Sequence, residues 1–302
     1  MAKFGQQLTP NQLVRIDGKV MAIAMMVNTQ HFMYREDVLK SLNIPVPKTY
    51  DDILAAAAAM RKANAVQYPF AGSWKAGWDL AMEFINLFPA YGGSFVGAGN
   101  VPTINNATGL KTLATLKALT EYMDPEYLTA DAASVAKQFQ QGKVAMSNFW
   151  ASRAGAMDDP KESTVVGKVI MAAAPAAVAG GKPATTLFWD GFAIAKNIPD
   201  QEAEYAFRVA LKGIDAEMVK ANNATAVWLI KEYQPSRLSE GAIASAEQGA
   251  PSYQATTAMG LMHSALGTGM ADFFTGRKTA EQTLASIEAA YTTAARERGI
   301  MK

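Results

Sequence analysis

Residues 139–153, FQQGKVAMSNFWASR, decide how the chain folds, because a helix end, a turn and a strand follow one another there without ambiguity. Asp131 stands where a carboxylate caps the free N–H groups of a helix, the run AASVAKQF follows, and Gly142 supplies a left-handed stop. Lys143-Val144-Ala145-Met146 then reads as a short apolar strand, with Ser147, Asn148, Phe149, Trp150 and Arg153 at its end. Hydrogen-bonding groups delivered beside a flat aromatic at a strand end are what a ligand site in an α/β fold needs. The alternative is that Phe149 and Trp150 are core aromatics and Asn148 a turn residue.

Outward from this stretch, 302 residues of which half are apolar can build more than one small core, so two lobes are expected. Lys and Arg (28) balance Asp and Glu (27), and no basic block is present, which argues against nucleic acid as a partner. With no Cys and only His31 and His263, disulfides, thiolate chemistry and a His-rich metal centre are excluded, and no cofactor is expected. Residues 1–12, MAKFGQQLTPNQ, do not read as a secretion signal, and no segment is apolar enough for a membrane span.

From the start, residues 13–16 and 19–26 flank Asp17-Gly18 and predict a hairpin. The second run continues through Asn28 and Thr29 to Tyr34, long enough to leave one lobe and enter another. A short helix over 35–40 ends at Pro45 and Pro47, and Thr49 with Asp52 resembles a capping box ahead of the next helix. Trp74 and Trp78 occupy a loop before a helix over 79–87, with Asp79 as its cap; either indole stacks on a ligand or packs beneath the loop. Leu110, Leu113, Leu116 and Leu119 mark a helix with a core face. Residues 163–174 read as one or two strands, and 185–195 as a second strand crossing between lobes that presents Trp189 and Asp190. Asp200 caps a helix, Asp215 opens another running towards Leu229-Ile230, and Thr279 to Gln282 is a full capping box for the last helix.

Three of these segments, in this order, resemble the family 1 extracellular solute-binding proteins of ABC sugar importers, which are maltose-binding-protein-like. They are DGKVMAIAMMVNTQHFMYREDVLKSLNIPVPKTYDDIL (17–54), FQQGKVAMSNFW (139–150) and GRKTAEQTLASIEAA (276–290). Two departures stand out: Trp150 comes two residues earlier after Ala145-Met146 than in the family pattern, and Thr283 replaces the usual Ala. The resemblance implies an α/β, two-lobe periplasmic-binding-protein-like (type II) fold. It also implies that the N-terminal lobe is incomplete, since family members carry a signal and a βαβαβ part ahead of the DGK segment. Residues 1–28 with 189–238 are then a remnant of that lobe, and 29–188 with 239–302 the C-terminal lobe.

The function implied is to bind a sugar, polyol or similar small polar solute in the interlobe cleft and hand it to the membrane subunits of an ABC transporter, in the periplasm or outside the cytoplasm. A sugar offers apolar C–H faces and rims of hydroxyls, so a flat aromatic together with amide, carboxylate and guanidinium groups suits it. Trp150 matches the family's stacking Trp, Asn28 its polar contact at the first crossing, and Trp189 with Asp190 the second crossing. Trp78, Asn148, Arg153 and His263 complete the candidate set; Arg153 alternatively pairs with Asp158 or Asp159, and His263 alternatively is a core or surface His. An enzyme is the competing class, but a glycosidase needs two carboxylates across a cleft and no such pair stands out. Nor is there a nucleophile elbow, P-loop or metal-ligand cluster. A third class is a half-protein acting as an interaction module, since uncovered strand edges recruit a second copy or a complementing N-terminal fragment.

Overall fold

The computed structural model describes residue 8 and residues 12–302; the reading of residues 1–12 lies almost wholly outside them. Strands β1 (Leu13–Ile16) and β2 (Lys19–Asn28) form the expected hairpin. Asp17 (φ 50°) and Gly18 (φ 75°) give its turn the doubly positive φ of the type I′ geometry that matches strand twist. After Thr29 the chain continues as β3 (Gln30–Arg35), which belongs to a different sheet. One extended run therefore passes from one sheet to the other with a single residue between.

The remaining strands are β4 (Tyr68–Ala71), β5 (Val144–Trp150), β6 (Val169–Ala172), β7 (Phe188–Phe192) and β8 (Val227–Trp228). The first sheet has the order β1-β2-β7, all antiparallel, with β8 pairing Met26 and Val27 of β2. The second has the order β4-β5-β3-β6, with β4 parallel to β5 and the other pairs antiparallel. The second crossing enters β7, whose Phe188 pairs Asn28. Thr29 locks the two crossings together: its hydroxyl donates to the Thr186 carbonyl oxygen (2.9 Å) and lies 2.9 Å from the Thr185 hydroxyl.

Apolar burial is uneven between the sheets. Most of the core surrounds the second sheet, where Phe32, Phe70, Trp74, Phe84, Phe139 and Phe149 are fully buried. Around the first sheet the buried apolar cluster among the described residues is Ile23, Ile214, Val219 and Ile230. Both capping boxes form as the sequence predicts, Thr49 with Asp52 and Thr279 with Gln282. Asp131 caps the helix Ala132–Gln140, and Gly142 at φ 72° ends its turn.

Four expectations need correction. The strand after Gly142 does not stop at Met146: β5 runs to Trp150 with all seven residues buried, because it lies between β4 and β3 and is covered on both faces. The helix opened by Asp215 stops at Ala221, where the Asn222 side chain turns back on the Met218 carbonyl oxygen and Asn223 holds the main chain of Gln234; these local bonds compete with helix and release residues 227–228 into β8. Asp200 lies in the first turn of its helix behind Pro199, and Asp79 in the first turn behind Gly77; neither is the cap. Residues 163–174 need no correction: of the one or two strands expected there, one forms, β6.

At Gly191 the backbone of β7 lies close against that of β2. A Cβ there would lie 2.2 Å from the Ile23 carbonyl oxygen, which is backbone and cannot rotate away. Gly191→Ala is expected to destabilise the chain by about 1–3 kcal/mol, as overpacking does. Denaturant unfolding checks it, and amide exchange should rise first in β2 and β7.

Candidate functional site

Trp78 opens the helix Trp78–Ala90, directly after Gly77, whose φ of 114° is open to glycine and strained for other residues. Its indole is 51% exposed, unusual for so large an apolar group, although other rings surround it. Trp150 at the end of β5 stacks on it (6.0 Å between centroids, 27°), and His263 of the helix Thr257–Gly269 stacks closer (4.8 Å, 25°). Phe188 at the start of β7 meets both tryptophans edge-on, and Tyr253 packs against Phe188 at 4.3 Å. A recess of about 400 Å³ opens beside this cluster, lined by Trp78, Tyr253, His263, Ser264 and Thr268. It holds a flat aromatic together with hydroxyl and imidazole groups, a combination suited to a polyhydroxylated solute.

At the crossings, the Asn28 amide donates to the Asp190 carboxylate (3.3 Å), and its oxygen accepts from the Ser152 N–H (3.4 Å). Trp189 does not join Asp190 on that face. Successive residues of a strand point to opposite sides, so Phe188 and Asp190 share one face of β7 and Trp189, 42% exposed, takes the other. Arg153 is exposed in the 3₁₀ turn Ala151–Asp158, and Asp158 pairs with Arg237 instead of with it. Of the eight candidates, the structure gathers Trp78, Trp150 and His263 into one cluster and joins Asn28 to Asp190. Asn148, Trp189 and Arg153 lie apart from these two groups.

Asn148 is 1% exposed and donates to the Gln30 side-chain oxygen (3.4 Å). Gln30 also accepts from Asn86 (2.9 Å) and donates to Glu83 (2.8 Å), while Thr186 donates to Asn86 (3.0 Å). This buried network fixes the Trp78 helix, through Glu83 and Asn86, to Gln30 after the first crossing and Thr186 before the second. Burial pushes the Glu83 carboxyl up to about 8, against the opposing pull of the Gln30 donor. Sequence reading missed Glu83, Phe188 and Tyr253. A carboxylate inside the apolar run 80–88 was the available signal for Glu83; nothing local marked Tyr253.

Among the described residues no helix is long and apolar enough to cross a membrane, and no group of three or more His, Asp or Glu could hold a metal ion. An α/β chain with two sheets joined by paired crossings, and an aromatic recess beside them, has the architecture of a two-lobe binding protein. The chain belongs to the bacterial extracellular solute-binding protein family, whose pattern it matches over residues 5–265. It is 32% identical over 192 residues to a Deinococcus radiodurans protein named "Probable ABC transporter-binding protein"; the match takes in 60% of this chain and 44% of that one, so the chain spans under half of that relative's length. Its fold is shared with an ABC transporter solute-binding protein of Agrobacterium radiobacter in complex with ribitol (TM-score 0.81, 22% identity, covering 96% of this chain and 75% of the other). The same holds for one from Agrobacterium vitis with bound D-mannitol (TM-score 0.83, 19% identity, 97% and 79%).

The buried Glu83 makes stability depend on pH. Its folded value lies above the ordinary 4.5, so its contribution is fully present below that and is lost as pH rises towards about 8. Glu83→Gln keeps an acceptor for Gln30 and removes the ionisation. The difference in Tm between variant and parent, measured from about pH 5 to pH 9, should move in favour of the variant as pH rises.

Proposed function

We propose that the chain binds a sugar or polyol without chemistry and without a cofactor, in a cleft between two lobes, and presents it to the membrane subunits of an ABC importer outside the cytoplasm. The lobes in this reading are residues 1–28 with 189–238 and residues 29–188 with 239–302. The observation that carries it is the half-exposed Trp78 indole, supported by Trp150 and His263 and bordering a polar recess. The polyols held by the two Agrobacterium proteins support the solute class. Asn28 with Asp190 supplies an amide and a carboxylate at the crossings for solute hydroxyls.

A second reading, association with another copy or a complementing fragment, is favoured by apolar side chains left uncovered around the first sheet. Ile16 (58% exposed), Tyr205 (54%) and Val209 (72%) are the clearest. A concentration-dependent mass in light scattering supports it, and a strictly monomeric chain removes it.

The test of the main reading is thermal shift over a panel of sugars and polyols, with product analysis on any hit; turnover would make the chain an enzyme. Trp78→Ala should weaken a hit by roughly 1 kcal/mol or more and change Tm little, since the indole is already half in water. Trp150 was expected to be the open stacking face but is 8% exposed. Trp150→Ala should therefore cost about 3–5 kcal/mol of folding stability, as truncation of a core aromatic does.

A further inference from the structure

Beside Trp78 the positions of two hydrogens follow from geometry. His263 Nε2 lies 3.1 Å from the main-chain carbonyl oxygen of Trp78, and Nδ1 lies 3.1 Å from the Tyr253 hydroxyl. A carbonyl oxygen only accepts, so Nε2 must carry a hydrogen. His263 is 5% exposed, and burial holds its imidazole below the usual histidine value although the Trp78 carbonyl opposes this. In the neutral ring Nδ1 is then bare and can only accept, so Tyr253 donates to it. With its hydrogen committed to the protein, the Tyr253 oxygen has lone pairs alone to offer a solute in the recess that Tyr253 lines.

No charged residue stands on the helix Thr257–Gly269 or on residues 250–256 to disturb this arrangement. Lys75 and Asp79 flank Trp78, and burial together with Asp131 holds the Asp79 carboxyl above the usual carboxylate value, against the pull of Lys75. On the helix Ala280–Glu297, packed against the one that carries His263, the charged groups are Glu281, Glu288, Arg296 and Glu297, and Glu288 is held by the N–H groups of Ile104 and Asn105.

We propose that His263 sets the hydrogen-bonding polarity of the recess: it fixes Tyr253 as a donor to the protein, so that the Tyr253 oxygen selects a solute group that donates to it, a hydroxyl or an ammonium. The selectivity rests on the reading of the recess as a solute site, whereas the Tyr253–His263–Trp78 relay does not. His263 acts through Tyr253 and is a positioning residue.

Two histidines make the relay directly measurable by nitrogen-15 NMR of histidine-labelled protein, with His263→Gln assigning the signals. At neutral pH His263 should show the Nε2–H tautomer with a hydrogen-bonded Nδ1, and Tyr253→Phe should remove that bond while the tautomer stays. An Nδ1–H tautomer, or spectra unchanged in Tyr253→Phe, overturns the relay. For selectivity, D-mannitol is compared with its monofluoro analogues, in which fluorine accepts but cannot donate. At one position fluorine should weaken binding about tenfold or more in the parent and not in Tyr253→Phe. His263→Gln, which keeps one donor and one acceptor, should retain the discrimination, and His263→Phe should lose it. Equal tolerance of fluorine in parent and Tyr253→Phe overturns the selectivity. No response to any solute in the panel removes the solute reading and the selectivity with it, while the tautomer result still decides the relay.

Discussion

The chain passes between its sheets twice, and the two passages are tied by one buried hydroxyl. Thr29 bonds Thr185 and Thr186 across the crossings, and its complete burial keeps water from competing for these bonds. A net hydrogen bond of this kind contributes only about 1 kcal/mol, but leaving a buried partner unpaired costs more than that. Neither crossing can therefore shift without breaking the other. That constraint sets the register of β2 against β7, and so decides that Asn28 faces Phe188 and lies within reach of Asp190.

The same constraint places the aromatic cluster. Gln30 and Thr186 flank the two crossings, and both bond to side chains of the helix that begins at Trp78. Trp78 is thus positioned from below by a polar network, and from the sides by Trp150 and His263. Within this network Glu83 is a buried carboxyl kept neutral by lack of water; outside it, His31, fully buried with neither ring nitrogen hydrogen-bonded, is held neutral with its value lowered to about 3. Their effects on stability run in opposite directions, His31 penalising acid and Glu83 penalising base.

Much of the fold was legible because its signals are local. The Asp17-Gly18 turn, the Thr49 and Thr279 capping boxes, the Asp131 cap and the Gly142 stop each depend on residues within a few positions of one another, and each forms. The leucines of the helix Ala107–Thr120 bury the face their spacing implies, with Leu113, Leu116 and Leu119 fully enclosed. The errors at the site have a common cause in long-range pairing. Whether Asn148 meets solvent depends on Gln30, 118 positions away, and on a strand covered by neighbours from elsewhere in the chain. Trp189 and Phe188 are adjacent aromatics, and only the pairing of β7 with β2 decides which one joins the tryptophans. Tyr253 acquires its role by meeting Phe188 and His263, neither of which a reading of residues 250–256 reveals.

The two halves of the proposed site differ in what they can contribute. Trp78, Trp150, Tyr253 and His263 all belong to elements packed on the large core of the second sheet, whereas Asn28 and Asp190 lie on the first sheet, whose buried cluster is small. An aromatic face held by a dense core is pre-organised, so a solute that covers it gains apolar burial without the protein paying to order it. Asn28 and Asp190 already satisfy each other, and a solute hydroxyl entering between them exchanges one hydrogen bond for another, which orients the solute more than it strengthens binding. In the cleft we propose, affinity resides on the rigid wall and orientation on the looser one. A substitution that loosened only the first sheet would for that reason relax discrimination among solutes before it abolished their binding.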